Sequence, residues 1–213
     1  MDEDFSKVDS ADVMGEALYY DGVTCRRMTG SEAAFNERFD ESAVQVLPGE
    51  ACWIDDHEKM LVTQVGSGVA LSIFDQQLRF GVLAHCLLPD QIVEVFPHFE
   101  QVDPMVGALA VRPIEAAVNE MKRNGAGKGR IRIRLFGGAH LPDDPHDAGT
   151  KTYIYVKSFL LERGLQIMSE DIGGTHIRRV HFFPETGAVS RFKLRRKSDF
   201  IDLKIEEEKY LNS

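Results

Sequence analysis

The 213-residue sequence predicts an α/β domain of the α+β kind, a single compact unit of mixed and antiparallel sheets packed with two main helices. Short β-prone apolar runs recur from Val44 to Lys193, punctuated by Gly, Pro and Asp turns. Two segments, Ile114–Arg123 and Lys151–Arg163, have helical spacing. Short turns between successive runs favour hairpins over crossovers.

Bulk properties narrow the class. Hydrophobic content of 43% and charged content of 28% are those of a soluble globular protein. A net charge of -9 argues against nucleic acid as a partner. No apolar run approaches the roughly 20 residues that span a bilayer. The acidic start, MDEDFSKVDSADVMGEA, has the pattern of neither a secretory signal nor a mitochondrial presequence. Cys25, Cys52 and Cys86 form no CxxC pair and no even framework, so a reducing, cytoplasmic setting is expected.

Along the chain, residues 1–43 are acidic and weakly periodic, an extension with a short helix capped by Ser31. A domain over 44–195 follows, and then a charged helical tail over 196–213. Val44–Leu47 and Ala51–Ile54 are expected strands divided by Pro48-Gly49, with a charged turn at Asp55–Glu58 before Met60–Thr63. Val69–Phe74 and Arg79–His85 form a hairpin through Asp75-Gln76-Gln77, and Leu87–Asp90 ends it. Residues 90–105 are a loop or short helix. Ile114, Ala117, Val118 and Met121 share a helical face, with Pro113 in the first turn and Asn124-Gly125 as the stop.

Arg130–Leu135 alternates strictly and is read as a half-buried strand with a basic outer face. The second helix is expected to place Ile154, Phe159 and Leu160 inward. Leu165–Met168, Arg179–Phe183 and Val189–Lys193 are three further strands. The tail helix runs over Asp199–Leu211, with Phe200, Ile201, Ile205 and Leu211 as its apolar residues, and is either exposed or packed on a partner.

The chemistry-bearing stretch is Thr63–His85. Its turn, Val65-Gly66-Ser67-Gly68, has no bulky side chain, so backbone can approach a ligand closely. His85 is the only histidine inside a strongly apolar run. A small-residue turn opposite a strand histidine suits a thiol or hydroxyl nucleophile activated by a base. No thiol stands in this turn. Three other signals are weaker. Gly125-Ala126-Gly127-Lys128-Gly129 has the look of a phosphate loop but lacks Ser/Thr after Lys and leads into a strand. His140, Asp143, Asp144, His146 and Asp147 are metal-ligand types, yet a Pro-rich acidic loop is more often solvated surface, and neither metal nor cofactor is expected. Arg130, Arg132 and Arg134 form either a docking stripe for an acidic partner or a strand face salt-bridged to its neighbour.

With these segments in place, the order of motifs resembles the CheD family of bacterial chemoreceptor glutamine deamidases. The motifs are GSGVALSIFD at 66–75, AHCLLP at 84–89, MKRNGA at 121–126, LFGGAHL at 135–141, DIGGTHIRRVHF at 171–182 and TGAV at 186–189. The resemblance covers roughly residues 44 to 195. It implies a compact α/β fold similar to the cysteine deamidases among bacterial toxins. It also implies a thiolate that attacks a receptor glutamine amide, a histidine base and a threonine that positions it. A glutamine amide is a poor electrophile, so a thiol activated by a base is the fitting nucleophile.

Carried over by position, the histidine is His85 and the threonine is Thr63, one residue closer to the turn than the pattern has it. The nucleophile position is Gly68, where the family turn has cysteine. In Ala148-Gly149-Thr150-Lys151-Thr152 a threonine stands where asparagine is usual, Val111 stands where aspartate is, and Pro113 intrudes at the first helix. Two residues are candidates to replace the thiol. Cys86 adjoins His85 but points to the opposite strand face; Ser67 is one position early. Two function classes follow. One is a catalytically degenerate homologue that binds the chemoreceptor cytoplasmic domain or a CheC-type phosphatase. The other is an active protein-glutamine deamidase with another nucleophile, or a Cys-to-Gly variant of one.

Overall fold

The computed structural model describes residues 26–27, 43–54, 59–98, 104–142, 144–194 and 197–211. The expectations for the Ser31-capped helix and the Asp55–Glu58 turn lie outside the described residues. Among the described residues two five-stranded sheets account for the β-structure. The first has the order β1-β2-β4-β9-β10, built from Arg26–Arg27, Ala43–Gln45, Met60–Val65, Arg178–Phe183 and Ala188–Lys193. The second has the order β3-β6-β5-β7-β8, built from Ala51–Cys52, Phe80–Cys86, Val69–Asp75, Ile131–Gly137 and Ile167–Ile172. Both are mixed: β2 runs parallel to β4 and β7 parallel to β8, while the other pairs are antiparallel.

Strand β5 is the centre of the second sheet, antiparallel to β6 on one side and β7 on the other. Both of its faces are covered, which is why it is apolar almost throughout. Val69, Leu71 and Ile73 join Val82, Ala84, Ile131, Ile133 and Leu135 in a core shared with two helices. The alternate face turns to the first sheet: Ala70 and Phe136 meet Val65 and Val180, and Leu83 meets Leu61 and Phe182. Each such fully buried side chain contributes roughly 1.5–3 kcal/mol. The layers are therefore sheet, sheet, helices.

The helices among the described residues are α1 (Asp90–Val95), α2 (Pro104–Arg123), α3 (Ala148–Glu162) and α4 (Lys197–Leu211). Helix α2 begins ten residues before the expected Ile114, and Pro113 lies inside it. A mid-helix proline costs about 3 kcal/mol, and the burial of Ala110, Val111, Ile114, Ala117 and Met121 along one face outweighs that cost. Helix α3 is rotated from expectation. Gly149, Thr152, Val156 and Leu160 face inward at three- and four-residue spacing, while Ile154 is 40% exposed. Among the described side chains of α4 Leu203 is buried, while Ile201, Ile205 and Leu211 of the expected apolar set are exposed; the Phe200 side chain lies outside the described residues. Strand β3 stops at Cys52, short of Trp53-Ile54. Cys52 is disulfide-bonded, against the expectation of three reduced thiols.

Strands β4 and β5 belong to different sheets, so the turn Gly66-Ser67-Gly68 is where the chain crosses between layers. The exit of β7 pins that crossing: Gly138 N–H donates to Gly68 O at 2.7 Å and Ala139 N–H to Gly66 O at 2.8 Å. Gly137 has φ of 111°, and a Cβ there would collide with the Gly68 carbonyl oxygen. Only glycine fits. Gly137→Ala is therefore expected to lower stability in urea denaturation by at least about 2 kcal/mol; a loss under about 0.5 kcal/mol would mean that the crossing yields freely.

Candidate active site

The space between the sheets, next to the crossing, holds the three expected residues. Thr63 comes from β4 in one sheet and His85 from β6 in the other; both are buried. Their side chains meet at 2.9 Å, Thr63 Oγ1 to His85 Nδ1. The strand edge beside His85 is also fixed, since its N–H donates to Glu50 O at 2.9 Å and its carbonyl accepts from Gly49 N–H at 2.8 Å.

The threonine decides the tautomer. Thr63 Oγ1 donates its one proton to the Val46 carbonyl at 2.7 Å, so toward His85 it can only accept. Nδ1 is thereby assigned the ring proton, and Nε2 carries the lone pair. A Cβ built on Gly68 would find Nε2 as its nearest atom, at 2.5 Å. The ring nitrogen with base character is thus aimed at position 68. Among the described residues Nε2 has no hydrogen-bond partner, and a buried acceptor left unpaired costs about 1–3 kcal/mol.

Position 68 is tightly enclosed. The 2.5 Å approach to Nε2, and 2.9 Å to the Cys86 carbonyl oxygen, lie under the 3.0 Å that real Cβ atoms respect. A cysteine here requires the turn or the ring to move.

Neither replacement nucleophile is placed for the work. Cys86 points to the helix side, in the core with Ile114 and Ala117, and burial pushes its thiol far above the ordinary range. A thiol held protonated is a poor nucleophile. The Ser67 hydroxyl is committed elsewhere, since its Oγ donates to Glu207 Oε1 at 2.8 Å.

The weaker sequence signals have internal explanations. Arg130 Nε pairs with the buried Asp75 at 2.9 Å, Arg132 donates to the Gly129 carbonyl and Arg134 to the Gly187 carbonyl. The basic stripe is therefore held by its own chain. In the acidic loop His140 pairs with Asp147, and Asp147 caps α3 through Thr150 N–H. No group of three potential metal ligands occurs among the described residues. Lys128–Arg130 form a short 3-10 turn leading into β7, with no helix N-terminus for phosphate.

Two contributors escape a reading of the sequence. The Val46 carbonyl, which sets the threonine's role, has no side-chain signature. Glu207 lies 140 residues from Ser67, and nothing local marks it.

Comparison with known proteins fits this geometry. A family model described as CheD chemotactic sensory transduction matches residues 87–192. A probable chemoreceptor glutamine deamidase, CheD 2, of Burkholderia thailandensis is 32% identical over 178 residues, covering 83% of this chain and 88% of that protein. The chain belongs to the CheD family. A probable chemoreceptor glutamine deamidase of Xanthomonas campestris pv. campestris is 33% identical over 157 residues, covering 72% of this chain and 74% of its own. One of Vibrio vulnificus is 29% identical over 183 residues, 84% of each chain. The mixed, two-sheet α/β architecture agrees with this CheD membership, and no described helix is long and apolar enough to cross a membrane.

Burial lowers the His85 pKa from the ordinary 6.5 to about 3. The folded value lies below the unfolded one, so the unfolded chain takes up the proton first as pH falls. The stability tied to the neutral ring is complete above pH 6.5 and is lost on the way down to about 3. Burial lowers His181 to about 4, in the same direction, so the wild type alone does not isolate His85. In urea titrations between pH 6.5 and 4, His85→Gln is expected to flatten the acid-side fall in stability by up to about 1.4 kcal/mol per pH unit. An unchanged slope would contradict a buried neutral His85.

Proposed function

We propose that this CheD-family protein acts without catalysing deamidation, as a cytoplasmic binding protein for the helical cytoplasmic domain of a chemoreceptor, with a CheC-type phosphatase as the competing partner for the same face. The observation that carries this reading is the glycine at position 68, opposite the base nitrogen of His85. The site has the orienting hydroxyl of Thr63 and the imidazole, but no nucleophilic side chain where Nε2 points. Without a thiolate or an activated hydroxyl there is no acyl-enzyme, and a neutral imidazole against a glutamine amide leaves its carbon unattacked. The chemoreceptor as target is carried over from the names of the relatives, probable chemoreceptor glutamine deamidases.

The orphaned Nε2 supports retention of the site's shape for recognition. Its lone pair is a hydrogen-bond acceptor in a water-poor place, and because the ring is buried behind the Gly68 turn, a side-chain amide N–H reaches it only when that turn moves. Binding with the amide intact is the expected consequence.

Incubation with a chemoreceptor cytoplasmic fragment is expected to give a saturable complex by calorimetry and no glutamine-to-glutamate mass shift by mass spectrometry. Conversion that disappears in His85→Ala would overturn the reading. Gly68→Cys is expected to lose about 1–3 kcal/mol of stability from crowding against the ring and the Cys86 carbonyl, and to convert the receptor poorly for the same reason. Full deamidase activity from that single change, at unchanged stability, would mean that the turn had not closed in.

A further inference from the structure

A second crossing between the sheets touches both residues of the site. Val46–Cys52 carries the chain from β2 in one sheet to β3 in the other. On the way the Val46 carbonyl takes the Thr63 proton, and Gly49 N–H and the Glu50 carbonyl bracket the His85 backbone. Glu50 folds the segment on itself: its N–H donates to the Leu47 carbonyl at 3.1 Å, and its carboxylate accepts from Leu47 N–H at 3.0 Å. The segment ends in β3, two residues long and at the edge of its sheet, where Ala51 pairs with Ala84 and Cys52 with Leu83. Two ladder positions hold little by themselves.

The other anchor of that end is covalent. Cys52 is disulfide-bonded and buried in a cluster with Val44, Val46, Leu61, Leu83 and Phe182. The sequence has three cysteines and Cys86 is free, which leaves Cys25 as the partner. Burial pushes the Cys86 thiol far above its ordinary range, so it does not compete in thiol exchange. Strand register agrees with this pairing. Arg26 pairs with Gln45 and Arg27 with Val44, so the chain ahead of Arg26 leads toward Val46, which packs with Cys52.

A disulfide is durable in an oxidising compartment, whereas in a reducing one it is transient and redox-sensing. A protein that binds the cytoplasmic domain of a receptor works in the second. We propose that the Cys25–Cys52 disulfide is a redox-sensitive staple on the Val46–Cys52 segment, and that a small thiol such as glutathione opens it and releases the alignment of Thr63 with His85. Only the compartment is taken from the binding reading above.

Opening consumes two thiols. The first, as thiolate, attacks one sulfur of the disulfide, forms a mixed disulfide and frees one cysteine, which takes up a proton. The second attacks the mixed disulfide, frees the other cysteine and leaves as glutathione disulfide. Two electrons and two protons have then passed to the protein. Local opening of the short edge strand β3 gives the thiol access to the buried bond. With the staple gone, the Val46 carbonyl is no longer held against Thr63, and the hydroxyl is free to turn its proton to Nδ1. Nε2 then carries the ring proton.

The test uses the full chain in buffers of graded glutathione to glutathione disulfide ratio, quenched in denaturant with N-ethylmaleimide. Mass spectrometry is expected to count one adduct at the oxidised end and three at the reduced end. Proteolysis of the oxidised protein is expected to yield a Cys25 peptide joined to a Cys52 peptide. Three adducts at every ratio would overturn the disulfide, and one adduct even in excess reduced glutathione would overturn its opening.

The link to the site is read on the two states of the same protein. On reduction the Gly49 and His85 amides are expected to exchange hydrogen at least about 10-fold faster, with Leu71 in the middle of β5 unchanged. Nitrogen-15 NMR is expected to show the His85 ring passing in part from Nδ1–H to Nε2–H. Unchanged exchange at Gly49 and His85, or an unchanged tautomer, would overturn the coupling. Equally fast exchange at Leu71 would mean global unfolding and would overturn a local switch. Cys25→Ser, which leaves the buried Cys52 in place, is expected to match the reduced protein in both readouts; a match to the oxidised protein would overturn the staple. Neither assay contains a receptor, so failure here and failure of a receptor complex are told apart.

Discussion

The hydrogen bond between Thr63 and His85 Nδ1 joins the two sheets at one point, and the candidate site depends on it. The threonine has one proton, which goes to the Val46 carbonyl of the strand segment beside it. That commitment turns the hydroxyl oxygen toward the imidazole as an acceptor, and the ring nitrogen on the far side becomes a base. Burial keeps the ring neutral. The direction of the lone pair is thus set by a backbone carbonyl two steps away, through a bond that exists only because strands of different sheets face each other.

The crossing turn completes the geometry. It is pinned by backbone bonds from Gly138 and Ala139, and the missing Cβ of Gly137 lets the segments approach. On this rigid frame Gly68 has let the backbone settle closer to His85 than a side chain allows. Among the described residues Nε2 has no partner. A protein selected only for stability would gain by filling or removing that acceptor, since an unpaired buried polar atom costs more than an apolar replacement. The helix lying over the turn, with Leu203 beneath and Glu207 on the Ser67 hydroxyl, links this pocket to the chain's last helix.

Much of the fold was legible because its strands obey simple rules. Val69–Phe74 and Arg130–Leu135 carried apolar content or strict alternation that the sheet then used. The site was legible in part: Thr63, Gly68 and His85 come together as the motif order implied. Helix limits and faces were harder. Pro113 looked like a start, but a helix with a buried face can absorb a proline, and local sequence does not report how much face is buried. Ile154 and Ile205 looked inward-facing by type, whereas Thr152 and Leu203 were chosen by what lay opposite them. Contacts such as Ser67 with Glu207 have no periodicity to reveal them, because they are made only when distant elements are packed.

Which nitrogen of His85 holds the proton decides where its lone pair points. Nitrogen-15 NMR of histidine-labelled protein at neutral pH reports this directly. A neutral ring protonated at Nδ1, with an unprotonated Nε2, is the result the Thr63 bond predicts. A ring protonated at Nε2, or an imidazolium, would contradict it, because the lone pair would then not face position 68.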